Sequence, residues 1–140
     1  MRKNLVKEKL SRGETVLGSE LAFYAPFASE LIGVCGFDYI MINCEYGTIT
    51  DGQVEHLCQL AELRGLTPFV RVPADGDLEN CRRMLDRGAM GIMMPHVRTP
   101  EYAEAFVKAC KYMPDGTRSQ CSKIRTNDFG ALSPKEYSEM

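Results

Sequence analysis

Four short apolar runs, each followed by a stretch with helical spacing, constrain this chain more than any other feature. The runs are "TVLGSEL" (Thr15–Leu21), "FDYIMIN" (Phe37–Asn43), "TPFVRV" (Thr67–Val72) and "GIMMP" (Gly91–Pro95). Each has strand length and is bounded by Gly, Pro or polar residues. After the second run, Val54, Leu57, Cys58 and Ala61 recur at i, i+3, i+4 and i+7, which is one face of a helix. Leu78, Cys81 and Leu85 repeat the pattern, as do Tyr102, Ala105, Phe106 and Ala109, and Pro26 to Cys35 reads as a shorter helix. Thr99-Pro100-Glu101 is a helix start, with Thr as N-cap, Pro at the first position and an acid in the first turn. The order β-α-β-α-β-α-β-α predicts parallel strands joined by right-handed helical crossovers. The near-equal spacing of the runs suits a (β/α)8 TIM-barrel type better than a doubly wound sheet, and no G-x-G-x-x-G follows the first run. The expected fold class is therefore α/β, of barrel type, with about four βα units, a half barrel.

The chain has 140 residues, read as a single domain over 1–140, whereas a complete barrel of this type takes about 250. Four parallel strands alone leave two open sheet edges, an aggregation hazard unless something covers them. Ser133-Pro134-Lys135-Glu136 has the form of a capping box that opens a helix close to Met140. The expectation is the N-terminal half of a longer barrel. A small complete protein that docks against a partner is the alternative.

Composition narrows the class of function. Hydrophobic residues make up 44% and charged residues 26%, a globular balance, and the net charge of −2 offers no electrostatic footprint for nucleic acid. No apolar run approaches the roughly 18 residues that cross a bilayer. "MRKNLVKEKLSRGE" has a basic start without an apolar segment, so a cytoplasmic location is the default. The six cysteines (35, 44, 58, 81, 110 and 121) form no C-x-x-C pair and read as free buried thiols in a reducing compartment. Lys108, Lys111, Arg118, Lys123 and Arg125 form a loose basic group, expected on a solvated face.

Barrel chemistry sits at the C-terminal ends of the strands. Those ends carry Ser19 and Glu20, then Asn43, Glu45 and Tyr46, then Arg71, then Pro95 and His96. Arg71 places a permanent charge within a buried run, facing opposite to Val70 and Val72, and an unpaired charge there is very costly. It is either an anion clamp for a carboxylate or enolate, or the partner of Glu45 or another strand-end carboxylate. His96 is open to three readings: general base, metal ligand or loop histidine. His56 falls on the polar side of its helix. "RVPADGDLEN" lacks the glycine and terminal Glu of a Ca²⁺ loop and reads as a turn, with Asp77 as the next N-cap.

Four segments carry a family resemblance: "FASELIGVCGFD", "GFDYIMINCEYG", "PFVRVP" and "RRMLDRGAMGIMMPHVRTPEYAEAFVKACKYMPDGTRS". Over about Asn4 to Tyr137 the chain resembles the HpcH/HpaI aldolases, metal-dependent class II pyruvate aldolases that include 2-dehydro-3-deoxyglucarate aldolase. The resemblance implies a (β/α)8 barrel assembled as a homo-oligomer. It implies carbon–carbon cleavage of a small 2-oxo or 2-hydroxy acid to pyruvate or a related 2-oxo acid. A divalent metal (Mg, Mn or Co) would stabilise the enolate, with a histidine base, an arginine at the transition state and an aspartate supporting the base. Arg71 matches the arginine, which also binds substrate, and Asp86 in "MLDRGA" matches the aspartate. The second strand departs from the family's Asp-x-Glu-His: it reads Asn43, Cys44, Glu45, Tyr46, so Tyr46 stands at the base position. The family's two carboxylate metal ligands come from later strands and are not within this chain. A lyase is the expected function. A catalytically impaired remnant or a non-catalytic binding or assembly partner is the alternative.

Overall fold

The structure is a computed structural model, and it describes residues 3–74, 77–133 and 136. The elements in chain order are α1 (Leu5–Ser11), β1 (Gly18–Leu21), α2 (Pro26–Val34), β2 (Tyr39–Asn43), α3 (Asp51–Leu63), β3 (Thr67–Arg71), α4 (Glu79–Asp86), β4 (Gly91–Met93) and α5 (Pro100–Cys110), followed by a 3₁₀ segment at Arg125–Gly130. The four strands are parallel and lie side by side in the order β1-β2-β3-β4. A doubly wound sheet reverses its strand order at a switch point. This one winds in a single direction, as the expected barrel type requires.

The apolar alternation of the strands decides which face is covered. Ile40, Ile42, Val70 and Val72 are fully buried and join Val54, Leu57, Cys58 and Ala61 of α3 in one core. Burial of each large aliphatic side chain contributes about 2 kcal/mol. The intervening residues Tyr39, Met41, Phe69 and Arg71 project to the other face and are only half-buried. Tyr39 and Phe69 meet edge to face there, with centroids 5.3 Å apart. Gly91, the register partner of Phe69, makes room for that ring: a Cβ on Gly91 would lie 2.1 Å from it.

Helix α3 starts on a full capping box, with Thr50 accepting from the Gln53 N–H and the Gln53 side chain accepting from the Thr50 N–H. Thr99 caps α5 as expected, accepting from the Tyr102 N–H. Ser133 and Glu136 make the reciprocal bonds of the expected capping box, while Pro134 and Lys135 lie outside the described residues. Ahead of α4, the Asp77 carboxylate accepts from the Glu79 N–H, although the formal cap position is Leu78. Asp75 and Gly76 of the preceding turn lie outside the described residues.

Several expectations need correction. The first strand is shorter than Thr15–Leu21, beginning at Gly18, and the last stops at Met93 rather than Pro95. Helix α4 buries Cys81 and Met84 in place of the Leu78-Cys81-Leu85 stripe. Arg118 and Arg125 do not lie on a solvated face. Arg118 pairs with Asp86 at 2.7 Å and lies over the Tyr112 ring, and Arg125 pairs with the buried Glu62. The periodicity reading also passed over α1, whose cap is Asn4 and whose buried residue is Val6. Among the described residues no helix is long and apolar enough to cross a membrane.

Candidate active site

Parallel register brings the polar strand ends together. Asn43 stands beside Arg71, and Arg71 beside Met93. Beyond β2 the chain turns at once: the Asn43 side-chain oxygen accepts the N–H groups of Glu45 (3.0 Å) and Tyr46 (3.3 Å). Gly47 follows because a Cβ there would lie 2.5 Å from the Ala22 carbonyl oxygen and 2.6 Å from that of Asn43. The turn folds the Glu45 carboxylate inward, where its side chain is 5% exposed.

That carboxylate is the hub of the corner. Arg71 Nη2 lies 2.5 Å from Glu45 Oε2, and His96 Nε2 lies 3.1 Å from Glu45 Oε1. Of the two sequence readings for Arg71, the ion pair with Glu45 is the one present in this structure. Its side chain stays 26% exposed. Tyr46 is largely exposed, with its ring centroid 5.3 Å from the Arg71 guanidinium carbon. His96 holds a left-handed backbone (φ 53°), uncommon for a residue other than glycine.

Asn43 has a reason of its own. Its amide Nδ2 donates to Glu20 Oε1 at 2.8 Å. An aspartate here, as in the family pattern, would face the Glu20 carboxylate without that donor, so Asn43 and Glu20 form a matched pair. Cys44, next along, has its thiol pushed up to about 11 by burial and then by Asp51, so it is protonated and unreactive near neutral pH.

The structure brings Arg71 and Tyr46 together but not Asp86. Helix α4 runs back from the C-terminal end of β3 to the start of β4, so its last residue sits at the opposite, N-terminal ends of the strands. There Asp86 accepts from Arg82 (3.0 Å) and Arg118 (2.7 Å). Within one chain it orders that end and does not reach Tyr46. Sequence reasoning missed Glu20 as a partner of Asn43, although both sit on alternating positions of adjacent runs. It also missed Tyr24, whose hydroxyl lies 2.5 Å from His56 Nδ1.

The implied divalent metal does not fit these residues. Among the described residues no group of three His, Cys, Asp or Glu side chains could hold an ion, and both Glu45 oxygens already face cationic or N–H groups.

A singly wound parallel sheet with an arginine–carboxylate corner at its C-terminal strand ends defines an α/β protein of barrel type with its chemistry at that edge. Residues 23–128 match the HpcH/HpaI aldolase/citrate lyase family, and the chain belongs to that family. It is 32% identical over 130 residues to a hydroxypyruvate/pyruvate aldolase of Roseobacter denitrificans, covering 92% of this chain and 50% of that protein. It is 38% identical over 118 residues to a 4-hydroxy-4-methyl-2-oxoglutarate aldolase of Hapsidospora irregularis, covering 83% and 43%. The crystal structure of an HpcH/HpaI aldolase from Desulfitobacterium hafniense superposes with a TM-score of 0.87 at 33% identity, covering 96% of this chain and 51% of that one. The chain thus spans about half the length of the curated relatives it matches.

Proposed function

We propose that this chain contributes the substrate corner of a carbon–carbon lyase that cleaves a small 2-oxo acid to pyruvate or a related 2-oxo acid. The observation that carries the reading is the buried Glu45 carboxylate held by Arg71 at the strand ends, with the Arg71 side chain still partly exposed. Arg71 binds the acid and neutralises the charge that develops on the enolate oxygen as the carbon–carbon bond breaks. Tyr46 flanks Arg71 and closes one side of the site. Asp86 supports the fold from the opposite ends of the strands. Mg, Mn or Co, where the reaction uses one, draws its carboxylate ligands from outside these residues.

Two further readings belong to the proposal. The six cysteines are free, although Cys35 and Cys121 are exposed rather than buried as expected, and free thiols fit a reducing, cytoplasmic location. Self-association is supported by Phe27, Leu31 and Val34, which form an exposed apolar stripe on α2.

The test is release of pyruvate from oxaloacetate or a 4-hydroxy-2-oxo acid, with each of the three metals supplied. Arg71→Ala abolishes it. Arg71→Lys keeps a positive charge opposite Glu45 but loses the fork, and lowers the rate by about 100-fold. An Arg71→Lys rate equal to the parent's removes Arg71 from the chemistry.

A further inference from the structure

With Tyr46 at the family's base position, the corner needs another proton-transfer group. We infer that His96, oriented by Glu45, is the general base of this site and acts through its Nδ1 nitrogen. The inference rests on the lyase reading above and names its proton-transfer residue.

Three observations converge on His96. Glu45 Oε1 can only accept, so the 3.1 Å contact assigns the ring proton to Nε2 and leaves Nδ1 as the basic nitrogen. Glu45 is itself fixed, since its other oxygen is held by Arg71 at 2.5 Å and its backbone N–H by Asn43. The ring therefore hangs from a rigid carboxylate, as a base hangs from an orienting acid. Lastly, the ring is 54% exposed while its backbone sits in the left-handed region. Strained backbone that aims a half-open imidazole is a feature of functional sites. Among the described residues, Nδ1 has no hydrogen-bond partner.

In the cleavage direction, Nδ1 takes the proton of the substrate's C4 hydroxyl. The C4 oxygen becomes a carbonyl and the C3–C4 bond breaks. Its electron pair forms the C2–C3 enolate, whose oxygen is neutralised by Arg71. The proton on Nδ1 then passes to C3 and gives pyruvate, so the imidazole ends as it began.

Pyruvate in D2O with Mg²⁺, followed by proton NMR of its methyl group, reads the enolisation half of this sequence without an aldehyde. His96→Asn suits the test because Asn tolerates a positive φ. It lowers exchange by about 100-fold or more, while His56→Asn, on a surface helix, leaves it unchanged. Exchange within about threefold of the parent in His96→Asn overturns the inference and leaves the lyase reading standing. Absence of exchange in the parent itself overturns the lyase reading and, with it, the role of His96 as base. A second measurement reads the placement of His96 at the substrate corner independently of turnover. Oxalate, a stable planar mimic of the enolate, shifts the His96 ring resonances, leaves those of His56 in place, and loses this effect in Arg71→Lys. A His96 ring indifferent to oxalate overturns the inference.

Discussion

Tyr46 sits beside Arg71 at the position where the family pattern has histidine. A phenol ordinarily releases its proton near pH 10 and an imidazole near 6.5, so at neutral pH only the imidazole is poised to accept a proton. Tyr46→His places a second base beside Arg71. We expect it to raise the rate of pyruvate release at least tenfold, and to recover methyl exchange in the His96→Asn background. Steady-state assay of the single and double variants checks both; an unchanged rate in each removes position 46 from proton transfer. Asn43 behaves differently. Its pairing with Glu20 makes it a structural replacement with a compensating partner, since the amide donates where an aspartate could not.

At the scale of elements, Asp38 ties the N-terminal helix to the sheet. Its carboxylate accepts from Lys9 of α1 at 2.5 Å and from the Leu17 N–H at 2.9 Å. The Lys9 hydrogen bond first, and then the backbone N–H, hold the Asp38 carboxyl below its usual 3.8. A carboxyl depressed in the folded state adds stability above its unfolded value, and that stability is lost as pH falls through the folded value. Asp38→Asn should therefore cost about 1–2 kcal/mol at pH 7. The deficit should shrink below about pH 4, as read by urea denaturation at pH 7 and pH 3. An equal deficit at both pH values rejects this account. Elements were unevenly legible in the residues. Helix α3 could be read in full because Val54, Leu57, Cys58 and Ala61 pack on two adjacent strands and keep a clean period. In α4 the phase slipped by one position, because Met84 turns to the core alongside Cys81. Helix α1 is only seven residues long with a single buried side chain, too little for periodicity to register.

At the scale of the whole molecule, the sheet ends at β1 on one side and β4 on the other among the described residues. On α2, Phe27 is 80% and Val34 69% exposed, which leaves an apolar stripe on that helix. Such a surface favours association. Sedimentation velocity should show species heavier than the 15.7 kDa chain that increase with concentration. The double variant Phe27→Glu/Val34→Glu should shift them toward monomer. A monomer at every concentration would rule out the α2 face as an interface.

Hydrophobic period and turn residues act over a few positions, so the residues alone specify four βα units and a parallel sheet. Arg71 declared itself for the same reason, as a charge between two core valines. The Arg71–Glu45 pair was one of two readings those residues left open, but the Glu45–His96 contact was not among them. Glu45 and His96 are 51 positions apart, and they meet only because parallel register and a left-handed turn after β4 carry both to the same edge. Asp86 shows the converse: its segment reads as part of the site, but the direction of α4 delivers it to the far ends of the strands and to Arg118. Distances across a sheet follow from how strands stack and which way helices return, and no local pattern encodes them.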